Sequence, residues 1–283
     1  MTECDEKIKV YCSTGTVVGR VTNYDYSVIY ERLPEICAEC GIDGVEHVLS
    51  ARYDLLEESV GSVIKSKLPC ALIHADKEIG ILLSNGGDEN AKEAMRRWRI
   101  NCEAARTLGA SRAVLHLWGD KMSDIHFDFN LSFIDEMIEI ADLYGVRILI
   151  ENIPCVASDP MTHWRQLAPH DCGFVYDVRF GQFQGQNPEI LASDFIKNGK
   201  IEHMHIADFG GERRDFTKIR PILHPNEGKT DFELIRRGLK EARYRGTMTL
   251  ESPVFGNGAL DMQKLSRTLS WLREYADDIS SAK

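Results

Sequence analysis

The stretch Arg147-Ile148-Leu149-Ile150-Glu151-Asn152-Ile153-Pro154 decides the fold of this chain. Its apolar residues form a continuous run, which is typical of a strand buried on both faces of a parallel sheet. The run meets a carboxylate and an amide, and the proline then ends the strand because it has no backbone N–H to pair. The sequence therefore predicts a buried strand that carries a reactive side chain, Glu151, near its carboxyl end.

The same arrangement recurs along the chain, because other apolar runs also deliver a polar side chain at or near their carboxyl ends. These side chains are carboxylates and imidazoles, which are ligand types that divalent metal ions accept. They are His74, His116, Asp177, His203, His205 and Glu251. The repetition, more than any one of these residues, indicates a site.

Eight predicted strands alternate with eight predicted helices. The strands occupy residues 8–13, 44–49, 69–75, 112–117, 147–153, 173–177, 201–207 and 247–252. The helices occupy residues 26–40, 55–65, 91–108, 130–144, 159–167, 188–197, 231–242 and 259–275. Strict alternation implies parallel strands joined by right-handed crossovers, and eight such units close into a barrel. We therefore predict an α/β fold, a (β/α)8 TIM barrel that forms a single domain over residues 1–283.

The competing architecture is a doubly wound open sheet. Such a sheet binds its ligand at one switch point, and its dinucleotide-binding form carries G-x-G-x-x-G after the first strand. This motif is missing after residues 8–13, and the polar residues are spread over many strand ends. The pattern favours the barrel.

Composition limits the classes of partner. The formal net charge is -10, which disfavours nucleic acid because binding to nucleic acid depends on cationic side chains. No apolar run approaches the roughly 18 residues of a membrane span, and residues 1–7 are polar where a signal peptide would be apolar. We expect a cytoplasmic protein with reduced thiols and no membrane partner. Cys37-Ala38-Glu39-Cys40 lies in a helical pattern, which favours packing over a redox or metal role.

A metal site competes with simpler explanations for each residue. A single strand-end histidine is more often a hydrogen-bonded wall residue, and a strand-end carboxylate is often a helix cap. Several such groups at one barrel mouth are different, since buried carboxylates without a cation repel one another. We therefore predict that this mouth binds divalent metal, with the choice among Mn²⁺, Zn²⁺, Co²⁺ and Mg²⁺ left open. His203 and His205 point to the same face, and His205, nearer the strand end, is the better ligand.

Three motifs together resemble one superfamily. They are Ile-Glu-Asn at 150–152, His-Met-His-Ile-Ala-Asp at 203–208 and Gly-Thr-Met-Thr-Leu-Glu-Ser at 246–252. They are similar to the xylose-isomerase-like TIM-barrel superfamily, which holds sugar isomerases and epimerases together with endonuclease IV-like apurinic-site nucleases. Segments 72–74 with 81–84 resemble its third strand and loop, 108–110 with 114–116 its fourth strand, and 224–232 its His-containing loop.

The resemblance implies roles for individual residues. The single-metal set of the epimerase-like members matches Glu151, Asp177, His205 and Glu251, and the two glutamates would also act as acid and base. His74 and His116 match additional ligands of the three-zinc nucleases. Two further nuclease ligands are absent, because Phe180 and Ile222 stand at those positions. The resemblance therefore favours a one-metal site.

We predict a metal-dependent isomerase or epimerase of a small sugar or polyol. Proton transfer would pass through an enediolate, with Glu151 and Glu251 exchanging the proton. The alternatives are a metal-dependent lyase acting on a hydroxylated ring acid, an apurinic-site nuclease and a non-catalytic binding barrel. The identity of the substrate is left open, including whether it carries a phosphate or a carboxylate group. The oligomeric state is also left open.

Other residues are candidates for contacts to substrate or to the ligands. His203 and His224 lie near the predicted mouth, and Trp118 either stacks on a sugar or packs in the rim. Arg179 and Arg214, which the pattern places on loops, could bind an anionic group of the substrate. A solvated charged loop is the favoured alternative for these two arginines.

Overall fold

Eight parallel strands close into one barrel in chain order, which confirms the predicted fold class. The computed structural model describes residues 7–256 and 259–281. The strands are β1 Val10–Ser13, β2 Gly44–Val48, β3 Cys70–His74, β4 Arg112–Leu115, β5 Arg147–Glu151, β6 Gly173–Asp177, β7 Ile201–Ile206 and β8 Thr247–Leu250. A short hairpin follows, formed by β9 Phe255–Gly256 and β10 Ala259–Leu260.

Helices surround the strands. They are α1 Ser27–Glu31, α2 Leu33–Glu39, α3 Leu56–Ser66, α4 Glu78–Asn85, α5 Asp88–Leu108, α6 Phe127–Leu131, α7 Ile134–Leu143, α8 Pro160–Leu167, α9 Val178–Gln184, α10 Asn187–Ala192, α11 Asp194–Lys197, α12 Phe232–Glu241 and α13 Met262–Ser280. In the part of the chain that the structure describes, no helix is both long enough and apolar enough to cross a membrane.

The chain divides into two compact units, one of residues 45–175 and one of residues 1–44 and 176–283. The boundaries fall within β2 and β6, so each unit is a portion of the barrel. In the unit 45–175, β5 pairs with β6 so that Glu151 lies opposite Val175. The buried indole of Trp98 packs α5 against α7 and donates a hydrogen bond to the Met137 carbonyl at 2.8 Å.

In the other unit, β7 pairs with β8, and His205 lies opposite Thr249. The apolar faces of α12 and α13 meet through stacked and edge-on rings. The rings of Trp271 and Tyr275 are 4.9 Å apart, and the Tyr275 hydroxyl donates to the Phe232 carbonyl at 2.8 Å. Helix α13 also packs against β1 and β8.

Several predicted boundaries are wrong. Residues 81–84, interpreted as part of a strand and loop, lie in α4, and the predicted helix 26–40 is broken at Arg32 into α1 and α2. The last helix begins at Met262 because the Asp261 side chain caps it. Helix α9 follows β6 directly and was not predicted at all. The predicted cap at Asp159 is correct, since its carboxylate accepts from the Thr162 amide.

The cysteines are packing residues wherever the structure describes them. Cys37 and Cys40 are buried at the end of α2, and Cys12 is buried in β1. Burial raises the pKa of Cys12 to about 12 and that of Cys37 further still. A thiol with so high a pKa is a poor nucleophile and metal ligand. The prediction about a signal peptide concerns residues 1–7, and of these only Lys7 is among the described residues.

Candidate functional site

Glu151 is the last residue of β5 and lies beside the imidazoles of His74 and His116. Its carboxylate is 1% exposed, and its Oε2 atom contacts Nε2 of His116 and lies 3.6 Å from Nε2 of His74. The two imidazole rings meet edge to face with centroids 4.9 Å apart. The Nδ1 atom of His74 donates a hydrogen bond to the Ala75 carbonyl at 3.0 Å. The predicted strand ends of β3, β4 and β5 therefore do bring their polar side chains together.

The charge state of His116 follows from its environment. Burial lowers the pKa of His116 to about 3, and the neighbouring Glu151 carboxylate opposes part of this shift. The imidazole is therefore neutral at physiological pH and donates its Nε2 proton to Glu151. A neutral donor orients the carboxylate without neutralising it.

A second group lies in the unit that contains β7 and β8. Ligand atoms of Asp177, His205 and Glu251 lie within 4.8 Å of one another. Asp177 and His205 are fully buried, and the Glu251 side chain is 15% exposed. Two carboxylates and an imidazole at this spacing form a donor set suited to a divalent cation.

Strand register explains how His205 and Glu251 meet. His205 is opposite Thr249, and Glu251 is two residues further along the chain from Thr249, just past the end of β8. Residues two apart on a strand share a face. The Nδ1 atom of His205 consequently lies 3.5 Å from Oε2 of Glu251.

Asp177 has a second task. Its Oδ1 atom accepts a hydrogen bond from the Phe180 amide at 3.0 Å, which makes Asp177 the N-cap of α9. Such a cap fixes the side-chain conformation, because the carboxylate bonds to the first turn of a helix. Oδ2 is 4.0 Å from the guanidinium Nε of Arg179.

His203 supports its neighbour in β7. Its Nδ1 atom is 2.6 Å from the Thr247 hydroxyl, and its ring meets that of His205 edge to face at 5.2 Å. Both rings are fully buried. The roles of His205 as the ligand and of His203 as a contact beside it stay predictions.

Two other predicted site residues are engaged in packing. His224 is buried, with Nδ1 2.9 Å from the Thr268 hydroxyl and Nε2 donating to the Pro253 carbonyl at 3.1 Å. Burial lowers its pKa. Trp118 is fully buried, edge-on to Phe127 at 5.5 Å. Of the two interpretations of Trp118, the structure supports rim packing.

The two arginines differ from each other. Arg179 does not lie on a loop as expected but in α9, where it is 7% exposed. Arg214 does lie on the long loop after β7 and is exposed. Its backbone has φ of 58° and its amide donates to the Phe183 carbonyl at 3.0 Å.

One buried cluster escaped the sequence interpretation. Asp124 accepts hydrogen bonds from the Val156, Ala157 and Ser158 amides at 2.8, 2.9 and 2.8 Å, and from His163 Nε2 at 2.9 Å. These donors hold the pKa of the carboxyl well below its usual range, although burial opposes them. Cys155 is close enough to complete a metal-ligand trio. The carboxylate is already saturated with hydrogen bonds, so we interpret Asp124 as the residue that fixes the segment after β5.

The sequence profile of one family, described as xylose isomerase-like TIM barrel, matches residues 34–275. The chain therefore belongs to this family. Uncharacterized protein MJ1311 of Methanocaldococcus jannaschii is 25% identical over 178 residues. That match covers 56% of this chain and 58% of the relative, so the chain spans less than two thirds of that protein.

Two solved structures share the fold over nearly the full length. One is the apo form of 3-keto-D-glucoside 4-epimerase, YcjR, from E. coli, with a TM-score of 0.64 at 15% identity, covering 95% of this chain and 100% of that one. The other is the IolI protein with a bound zinc atom, with a TM-score of 0.63 at 17% identity, covering 98% and 99%. At these identities the likeness establishes the barrel architecture alone.

Proposed function

We propose that this protein is a metal-dependent isomerase or epimerase acting on a small sugar or polyol. The observation that carries the proposal is the buried group of Asp177, His205 and Glu251. Burying two carboxylates beside each other is unfavourable unless a cation compensates their charge. The donor set of that group fits such a cation.

Glu151 is the fourth ligand in this proposal. In the β5–β6 pair it is opposite Val175, and Asp177 lies two residues further along β6 on the same face as Val175. Glu151 and Asp177 are thus the last residues of β5 and β6. Active sites of (β/α)8 barrels form at these ends.

A bound divalent ion would supply Lewis-acid chemistry, polarising a substrate carbonyl and lowering the cost of the adjacent carbanion. The remaining work falls to the protein. One glutamate removes the proton from the carbon next to the carbonyl, and the other returns a proton. Return to the opposite face of the same carbon gives epimerisation. Return to the neighbouring carbon, with transfer of the hydroxyl proton to the former carbonyl oxygen, gives isomerisation. His116 orients Glu151 for this exchange through its hydrogen bond.

The relatives support the proposal at the level of chemistry. YcjR is a sugar-derivative epimerase by name, and IolI holds zinc. The net charge of -10 agrees with a small-molecule substrate over a polyanion. We further propose that the protein works in the cytoplasm with Mn²⁺, Zn²⁺, Co²⁺ or Mg²⁺, independently of nucleic acid and membranes.

The test combines metal analysis with proton exchange. Purified protein is analysed for bound metal and then incubated in D₂O with a panel of ketoses and aldoses in the presence of each ion. Deuterium incorporation at the carbon next to the carbonyl, together with a second sugar product, is the expected result. A hydroxylated ring acid is added to the panel, and loss of water from it would indicate the lyase instead. Absence of both metal binding and exchange would contradict the proposal.

A further inference from the structure

The segment from Asp208 to Thr230, here the β7–α12 loop, is long and nearly free of regular structure; one 3-10 turn, Phe216–Lys218, lies within it. Asp208 joins its two ends. The Asp208 backbone pairs with Leu223 through hydrogen bonds of 2.8 and 3.1 Å, and its carboxylate accepts from the Gly228 and Thr230 amides at 2.8 and 3.0 Å. These bonds leave residues 211–222, the middle of the loop, to be held by something else.

The middle of the loop rests on α9. The Phe216 ring meets the Phe183 ring edge to face at 5.0 Å, and the Arg214 amide donates to the Phe183 carbonyl. At the other end of α9, a guanidinium N–H of Arg179 donates to the Ile219 carbonyl at 3.2 Å. The loop is thus attached to both ends of one short helix.

Arg179 is an unusual anchor because it is buried. Its guanidinium carbon lies 4.0 Å from the Phe180 ring centroid, and its Nε atom lies 4.0 Å from the Asp177 carboxylate. A buried arginine requires partners that satisfy its charge and its donors. The Asp177 carboxylate and the Phe180 ring compensate its charge, and the Ile219 carbonyl of the loop accepts a hydrogen bond from its guanidinium.

We propose that Arg179 is a positioning residue that fastens the β7–α12 loop to the helix begun by Asp177. Loops at the carboxyl ends of barrel strands shape the substrate pocket, so the contact to Ile219 sets the position of one pocket wall. The inference rests on the proposed function for the ligand role of Asp177. The fastening itself depends only on Arg179 and its contacts.

The experiment measures loop opening in protein stripped of metal, by hydrogen–deuterium exchange of peptides covering 211–222. Arg179→Met keeps a long apolar side chain over Phe180 and removes the guanidinium. We expect exchange in these peptides to rise about tenfold in Arg179→Met, with peptides of β3, β4 and β5 unchanged. Arg179→Lys, which keeps one cationic donor, is expected to restore part of the protection. Wild-type exchange in both variants would overturn the proposal.

Arg273 provides the matched control. It is also a largely buried arginine, donating to the Ile8 carbonyl at 2.7 Å and to Asp43 at 3.1 Å. Arg273→Met should lower the melting temperature without faster exchange at 211–222, and equal acceleration in both methionine variants would overturn the proposal. Because neither metal nor substrate is present, failure here leaves the proposed function standing, and failure of the sugar assays leaves the exchange result valid.

Discussion

The Nδ1 atom of His205 lies 3.5 Å from Oε2 of Glu251, and the carboxylate retains 15% exposure while the imidazole has none. The exposed part of the Glu251 carboxylate can therefore contact a bound molecule. Its other neighbour, the His205 imidazole, is buried and is of a type that binds metal ions. Glu151, at 1% exposure and in contact with His116, is the more enclosed of the two glutamates.

Replacing Glu251 or Glu151 with glutamine is expected to lower turnover by about 10²- to 10⁴-fold, because the amide cannot accept the proton. The amide has nearly the volume of the carboxylate, so the circular dichroism spectrum should remain that of the wild type. Glu241→Gln, on the exposed surface of α12, is the control. Full activity in either site variant would refute the acid–base assignment.

Two substitutions of Asp177 separate its two tasks. Asp177→Asn keeps the oxygen that accepts from the Phe180 amide but loses the charge, so we expect divalent-ion affinity to fall about tenfold or more. Asp177→Ala loses the cap as well, at about 1 kcal/mol of unfolding free energy. Calorimetric titration with Mn²⁺ and Zn²⁺, with urea unfolding, would measure both quantities. Unchanged ion affinity in the asparagine variant would remove Asp177 from the ligand set.

The strands were predictable from the sequence because each signal is local. A buried apolar run that meets Glu151 or Asp177 identifies the strand; the predicted end at Asp177 is correct for β6, whereas β5 ends at Glu151 and not at Ile153 as predicted. Helix α9 was not predictable in the same way. It is a short helix with Gly181 in its interior, where the Asn187 side chain requires room because its Oδ1 atom would lie 1.9 Å from a Cβ. That requirement comes from α10, not from the pattern within α9.

Buried polar anchors were also missed, for a related reason. The partners of Asp124 are backbone amides more than thirty residues away in sequence, beginning with that of Val156 at 2.8 Å. The sequence pattern places Arg179 on a loop. Its role as an anchor in α9 follows only from its contact with the Ile219 carbonyl, forty residues away. Side chains that bond to distant backbone leave no periodic signal in the sequence. The ligand types could be read from their strands, whereas the supports around them required the folded chain.

Two helical glycines predict opposite effects of the same substitution. A Cβ at Gly80 in α4 would lie 2.3 Å from the His116 carbonyl oxygen, whereas a Cβ at Gly61 in α3 meets nothing within 4 Å. Gly80→Ala should lower the unfolding free energy by about 1–3 kcal/mol, because α4 must move away from the segment that carries His116. Gly61→Ala should raise it by about 0.5–1 kcal/mol. Urea unfolding of both variants checks the signs, and a stabilising effect at Gly80 would contradict the close approach.

The buried His47 of β2 predicts a pH dependence of stability. Burial lowers the pKa of His47 from 6.5 to about 4, and its Nε2 atom is 2.8 Å from the Ser59 hydroxyl. Between these pH values the unfolded chain binds a proton at this residue and the folded chain does not. The stability that the neutral imidazole contributes is therefore complete above about pH 6.5 and declines as the pH falls towards 4, by at most about 1.4 kcal/mol per pH unit.

His47→Gln cannot titrate, so the difference in unfolding free energy between wild type and variant should shrink as the pH falls from about 6.5 to about 4.5. Urea unfolding of both proteins across this range gives the difference directly, and a constant difference would show that His47 titrates alike in the folded and unfolded chains.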